Sequence, residues 1–197
     1  MDAESLNNLP KIIGLTGGIG SGKSTVAKFI EEMGFPVYYS DVRAKEIVND
    51  DELLKKGIIE LLGEKAYDEN GLYDRKYVAE IVFNDEELLQ KLNGMIHPAV
   101  KYDFEKWVGN QTTEFVFKET ALLFELKLNE SCFKSVLVKA DDNLRLKRVM
   151  DRDRKTYREV ENVMNKQMPE KDEIKIADFV IFNNDGMDEL QAETENV

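Results

Sequence analysis

Between Gly17 and Ser24 the chain reads Gly17-Gly18-Ile19-Gly20-Ser21-Gly22-Lys23-Ser24, with Thr25 next. Four glycines, a lysine and a hydroxyl at this spacing fit the G-x-x-x-x-G-K-[ST] pattern. Glycine permits positive φ and close backbone approach, so successive N–H groups can converge on one anion. Lys23 is long enough to reach the outer phosphates of a nucleoside triphosphate. The Ser24 hydroxyl is the oxygen ligand type that Mg²⁺ accepts beside its waters. The pattern carries meaning only where a strand precedes it and a helix follows. Lys11–Thr16 (KIIGLT) is a short apolar run of strand type, and Ser24–Gly34 has helical periodicity with a glycine at its end. A helix starting here adds its N-terminal partial charge to the anion site.

The rest of the chain has to position that loop. Besides Lys11–Thr16, strands are expected at Phe35–Tyr39, Glu114–Lys118, Ser135–Lys139 and Asp178–Phe182. These runs are rich in Val, Ile, Phe and Tyr and mostly lack alternation, as in strands buried on both faces of a parallel sheet. Helical patterns lie between them, so the fold class is α/β. Roughly 75 residues separate the second and third strands, far more than one crossover helix needs. That stretch holds helical patterns at Glu52–Leu62, Arg75–Phe83, Asp85–Ile96 and Ala99–Val108, with Pro98 expected to break the last two apart. It reads as a helical cap over about 51–110. A second segment, about 141–175, carries Arg145, Lys147, Arg148, Arg152, Arg154 and Arg158 and reads as a lid of short helices. The core is then 11–50, 111–140 and 176–197 of one domain spanning 1–197.

Composition narrows the function. The chain has 197 residues, a net charge of −12 and 42% hydrophobic residues, which fits one globular domain and argues against a nucleic-acid partner. An acidic protein that holds polyphosphate needs its positive potential concentrated at one place. No apolar run approaches the ~20 residues of a membrane span. Met1–Pro10 lacks the basic start and apolar stretch of a signal peptide, so a cytoplasmic setting is expected. The single cysteine, Cys132, excludes an internal disulfide and reads as a small buried hydrophobe. The single histidine, His97, excludes a site built of several histidines.

Among phosphate-loop proteins, a GTP switch should carry N-K-x-D; the nearest string, Asn165-Lys166-Gln167-Met168, lacks the aspartate. Asp68-Glu69-Asn70-Gly71 reads as a turn. A small-molecule kinase needs a carboxylate for the acceptor hydroxyl and mobile cations for the transferring phosphoryl group. Asp41, just beyond the second strand, stands where α/β sheets place their sites, and could otherwise be a helix N-cap. Arg148, Arg152 and Arg154 could supply the cations, or could line a solvated helix face.

The chain resembles the dephospho-coenzyme A kinase family. The resemblance lies in Gly14–Thr25, Asp41-Val42-Arg43-Ala44-Lys45, Ile96-His97-Pro98, Leu122-Leu123-Phe124-Glu125, Leu146–Asp153, and Ala177–Ile181 with Asn183 and Asn184. It covers nearly the whole chain in order. It implies a P-loop NTPase fold with a five-stranded parallel sheet flanked by helices, a helical substrate-binding cap and a lid. It also implies transfer of the ATP γ-phosphate to the ribose 3′-hydroxyl of dephospho-CoA, the last step of coenzyme A synthesis, with Mg²⁺. On that basis Asp41 is the base, and Lys23 and Arg148 act on the phosphates. Gly17 through Thr25, Arg148, Arg152 and Asn183 would hold ATP, and Asp41, Lys45 and His97 the acceptor. His97 could instead fix the helix break before Pro98. The metal ligand would be Ser24, and the protein a monomer or weak homo-oligomer without nucleic-acid or membrane partners. Two departures stand out. Thr120-Ala121 replace the family's usual proline before Leu-Leu, and its arginine near Lys166-Gln167 has no clear counterpart. The rivals are another small-metabolite kinase, a regulatory ATPase and a nucleotide-binding module.

Overall fold

The computed structural model describes residues 9–197, so the reading of the N-terminus falls, for residues 1–8, outside the described residues. Five strands form one sheet in the order β2-β3-β1-β4-β5, every neighbouring pair parallel. They are β1 (Lys11–Thr16), β2 (Val37–Tyr39), β3 (Phe115–Glu119), β4 (Lys134–Lys139) and β5 (Phe179–Phe182). β2 is shorter than its apolar run because Pro36 has no N–H to give; its carbonyl accepts from Phe117 N at 2.9 Å and the strand proper starts at Val37. β3 runs one residue later than Glu114–Lys118, so Glu119 ends the strand, opposite Leu15 of β1.

Two compact units divide the chain, one taking it up to Tyr39 together with Asn110–Val197 and the other Ser40–Gly109. In the sheet unit, α1 (Lys23–Glu32) buries Val26, Ala27 and Ile30 among Ile13, Leu15, Val136, Val138 and Ile181, with Leu190 of the C-terminal helix α9 (Met187–Glu195). Full burial of an aliphatic such as Leu15 contributes roughly 1.5–3 kcal/mol. A second cluster joins Leu137 to Leu123 and Phe124, with Val180 packed against them. Leu137 and Val180 alternate along their strands with Val136 and Ile181, so β4 and β5 carry core on both faces. Gly14 admits Leu123 to the strand, since a Cβ there would stand 2.8 Å from its methyls. After β4 come α6 (Asp142–Asp153) and the short helices α7 (Tyr157–Met164) and α8 (Glu170–Ile176).

The helical unit contains α2 (Ser40–Asp50), α3 (Glu52–Leu62), α4 (Arg75–Val82) and α5 (Glu86–Val108) around Ile47, Val48, Leu54, Ile58, Tyr67, Val78 and Leu92. Asp51, Asp74 and Asp85 cap α3, α4 and α5 by accepting from backbone N–H groups of the first turn. The Asp68–Gly71 string is the expected turn, with Asp68 Oδ1 accepting from Asn70 N and Leu72 N. Arg43 of α2 grips Asp103 of α5 through two bonds of 3.0 and 2.9 Å, a bidentate pair that fixes one helix against the other. No helix among the described residues is long and apolar enough to cross a membrane.

One expectation is corrected. Pro98 does not break the helix; α5 runs through it from Glu86 to Val108. Leu92, Met95 and Ile96 before it and Ala99 and Val100 after it pack on the same cluster, so a break would pull one half off the core. Burial on both sides outweighs the lost hydrogen bond to Gly94. Restoring that bond with Pro98→Ala is expected to stabilise the protein by about 1–3 kcal/mol in urea denaturation. A loss of stability would show that the ring itself is needed by the packing.

Candidate active site

The parallel sheet brings the carboxyl ends of its strands to one edge, and the Gly17–Ser24 loop lies there between β1 and α1. Gly22 starts α1 with φ +97 and gives no side-chain cap. The first N–H groups of α1, on Lys23 and Ser24, therefore face the anion position by helix geometry. A Cβ on Gly22 would collide with the Asn183 side chain. Asn183, buried just after β5, donates from Nδ2 to Ser21 O at 2.8 Å, from its backbone N to Lys139 O at 2.7 Å, and accepts from Arg148 Nη2 at 3.3 Å. The structure thus brings two sequence-predicted residues, Arg148 and Asn183, together at the helix-proximal end of the loop. Arg148 Nη1 is buried without a partner among the described residues.

Lys23 folds back to pair with Glu119 Oε1, both side chains being almost enclosed. Sequence reasoning missed Glu119, because a carboxylate at the end of an apolar run looks like the start of a loop. It also missed Arg145. That residue is buried, at 6% exposure, and its Nε donates to Ile19 O at 3.0 Å. Gln167 Oε1 accepts from Ile19 N at 3.0 Å. Arg145 Nη1 meets Asp142 at 3.1 Å and Glu170 at 3.6 Å. The usable signal for Arg145 was its i, i+4 spacing to Val149, the other buried residue of α6. Arg152 is exposed and pairs with neighbouring Asp153 at 2.7 Å, and Arg154 ends α6 in a left-handed conformation.

Thr120 holds the turn that follows β3. Its Oγ1 accepts from Leu122 N at 3.2 Å and its N donates to Leu15 O at 3.0 Å. Leu123 and Phe124 then bury, and Glu125 Oε1 accepts from Met168 N at 3.3 Å. Burial, then the charges of Glu125 and Glu170, push the Glu173 carboxyl up to about 7, against the opposing pull of Arg145. Cys132 is half-buried, its thiol directed at Leu128 O and its pKa raised by burial.

In the helical unit, Asp41 lies inside the first turn of α2, which begins at Ser40, so it is not the helix cap. Half-buried, it makes no side-chain hydrogen bond or ion pair among the described residues. Lys45 is exposed one turn further on. His97 stands on α5 with its pKa lowered by desolvation, in a helix that does not break, which removes the break-fixing role.

An all-parallel sheet with a lysine-bearing phosphate loop at its carboxyl edge and short helices after β4 defines a P-loop kinase, which takes its phosphoryl group from a nucleotide such as ATP. Residues 11–189 match the family model described as dephospho-CoA kinase. A dephospho-CoA kinase of Fusobacterium nucleatum is 40% identical over 179 residues, 91% of this chain and 92% of its own. The crystal structure of TT1252 from Thermus thermophilus superposes with a TM-score of 0.85 at 32% identity, covering 95% of this chain and 96% of that one. The dephospho-CoA kinase from Campylobacter jejuni superposes with a TM-score of 0.63 at 25% identity over 95% of each chain. The chain belongs to the dephospho-CoA kinase family.

Two outcomes test the site as described. Gly22→Ala should displace Asn183 and strain a positive φ, weakening ATP binding by ~10-fold or more in calorimetric titration. Glu173 has a folded-state pKa of about 7 against an ordinary 4.5, so the folded protein binds its proton more tightly than the unfolded chain. Its stabilising contribution is whole below pH 4.5 and is lost as pH rises through 7. Glu173→Gln should therefore gain on the parent across that window and exceed it by ~2 kcal/mol at pH 8. Parallel stability curves from pH 5 to 8 would count against it.

Proposed function

We propose that the loop Gly17–Thr25 holds the ATP phosphates while Asp41 orients and deprotonates the ribose 3′-hydroxyl of dephospho-CoA. Family membership makes the protein a kinase that phosphorylates dephospho-CoA in coenzyme A synthesis; the assignment of residues is our own reading. The observation that carries it is the phosphate loop, pinned at Ile19 and Ser21 by buried side chains with Lys23 at the head of α1.

In the reaction the 3′-oxygen attacks the γ-phosphorus, its proton passes to Asp41, and the bond to the β–γ bridging oxygen breaks to release ADP. There is little covalent work for the protein, so its contribution is positioning and charge. Lys23 and the loop amides neutralise the phosphates, and Arg148, with Arg152 carried on the same helix, meets charge on the transferring group. Asn183 supports the nucleotide side, and Lys45 and His97 the acceptor. Asp41 fits the base role by its place two residues beyond β2 and by its uncommitted carboxylate. The helical cap, about 51–110, is then the acceptor-binding region, and the segment about 141–175 the lid.

Mg²⁺ fits the residues present. Ser24 offers an exposed hydroxyl at the loop, and Glu119 a buried carboxylate paired with Lys23. A divalent ion arriving with ATP would be held by Ser24 and by Glu119, and would supply charge neutralisation at the phosphates. The acidic chain suits a cytoplasmic monomer or weak homo-oligomer with small-molecule partners only.

Asp41→Asn is expected to bind ATP normally and turn over ~100-fold more slowly. Near-normal turnover would remove Asp41 from the base role. An acceptor panel with ATP and Mg²⁺ separates the rivals. ADP release with dephospho-CoA alone supports the proposal, release with another metabolite a related kinase, and release without acceptor an ATPase. ATP binding with no release at all supports a binding module.

A further inference from the structure

Ile19, at the tip of the phosphate loop, has both of its main-chain polar groups taken by side chains from the far end of the chain. Its N–H donates to Gln167 Oε1 at 3.0 Å and its carbonyl accepts from Arg145 Nε at 3.0 Å. Arg145 Nη2 reaches the same Gln167 oxygen at 3.4 Å, which closes the ring. Asp142 and Glu170 hold the guanidinium from its other side. The loop lies hard against α6: a Cβ on Gly18 would overlap the Arg145 guanidinium, and one on Gly20 would stand 2.6 Å from the Arg145 carbonyl. Fixing both peptide groups of Ile19 fixes the planes that lead into Gly18 and Gly20, and so the direction of the amides that follow.

Gln167 is tied to the lid. Its N–H donates to Met164 O at 3.1 Å, and that of Lys166 to Val163 O at 3.2 Å, so the turn continues the last turn of α7. On the other side Met168 N donates to Glu125 Oε1. Any displacement of α7 therefore moves the acceptor that holds Ile19.

We propose that Gln167 and Arg145 are positioning residues for the nucleotide, a clamp through which the lid sets the phosphate-binding shape of the loop. The proposal rests on reading Gly17–Thr25 as the ATP cradle, but not on the identity of the acceptor. Neither side chain needs to touch ATP; they act through the amides. The clamp acts where the β- and γ-phosphates sit, so it discriminates between nucleotides by phosphate number.

The test is calorimetric titration with ATP, ADP and AMP and no acceptor present, on the parent, Gln167→Leu and Gln167→Glu. Leucine removes the acceptor, whereas glutamate keeps an oxygen for both Ile19 N–H and Arg145. Losing one such bond should weaken ATP by ~10-fold in Gln167→Leu and leave AMP within about twofold, with Gln167→Glu within about threefold of the parent for ATP. The melting midpoint of the nucleotide-free protein reports any general damage, and Gln167→Met replaces the leucine variant if that one fails to fold. ATP affinity unchanged in Gln167→Leu, or ATP and AMP weakened equally, would overturn the proposal. Because no acceptor is present, failure of the parent to phosphorylate dephospho-CoA would count against the functional reading and leave this result standing.

Discussion

The structure turns on gathering positive potential at one loop in a chain of net charge −12. Backbone amides carry that potential, and amides point at an anion only while the backbone is held in conformations it does not prefer. Glycine makes those conformations accessible without selecting them. Selection comes from the other strands. β3 ends in Glu119, which holds Lys23; the helix after β4 sends Arg145 to Ile19; the residue after β5 sends Asn183 to Ser21. A parallel sheet makes this possible, because it delivers the carboxyl ends of all its strands to the same edge. β1 sits centrally between β3 and β4, so its loop is within reach of both sides.

Holding the loop costs buried charge, and the chain manages that cost by pairing. Arg145 is shared between Asp142 and Glu170, and Glu170 also binds Lys139 at 3.0 Å. Glu173 lies in the same electrostatic neighbourhood; burial first, and then the charges of Glu125 and Glu170, raise its pKa against the pull of Arg145. One cation cannot satisfy every carboxylate around it in a low-dielectric interior.

Legibility in the sequence followed how local each determinant was. β1 was readable to the residue, and so was α3 at Glu52–Leu62, because an apolar run with clear punctuation, or Asp51 before a periodic stretch, decides structure within a few residues. Pro98 misled because its local cost is real and its compensation is not local; only the packing of Met95, Ile96, Ala99 and Val100 on one cluster decides for a continuous helix. At the site, the strand–loop–helix frame was legible, and of the side chains that support the loop Asn183 was anticipated while Arg145 and Gln167 were not. The arginines of α6 look alike in sequence, yet Arg145 is buried against the loop and Arg152 lies in solvent. Asp41 was chosen by its place after the second strand and Lys45 and His97 by resemblance; they lie in the first turn of α2, one turn further on, and in the middle of α5.

The Lys23–Glu119 pair has a further consequence for how the donor site works. Removing one partner of a buried ion pair leaves an uncompensated charge that costs about 3–5 kcal/mol. If Lys23 serves the phosphates of a bound nucleotide, as proposed, Glu119 is left as that charge, enclosed at the end of β3. The incoming polyphosphate makes the imbalance worse, since it adds negative charge beside the carboxylate. Lysine alone cannot serve both. A nucleotide bound with a divalent cation would bring the missing charge to the carboxylate that lysine leaves, so electrostatic balance supports the proposed use of Mg²⁺ alongside chemistry at the γ-phosphate. The same reasoning explains a glutamate in an otherwise apolar strand end: without nucleotide it neutralises Lys23 and keeps the head of α1 from carrying an unpaired buried cation.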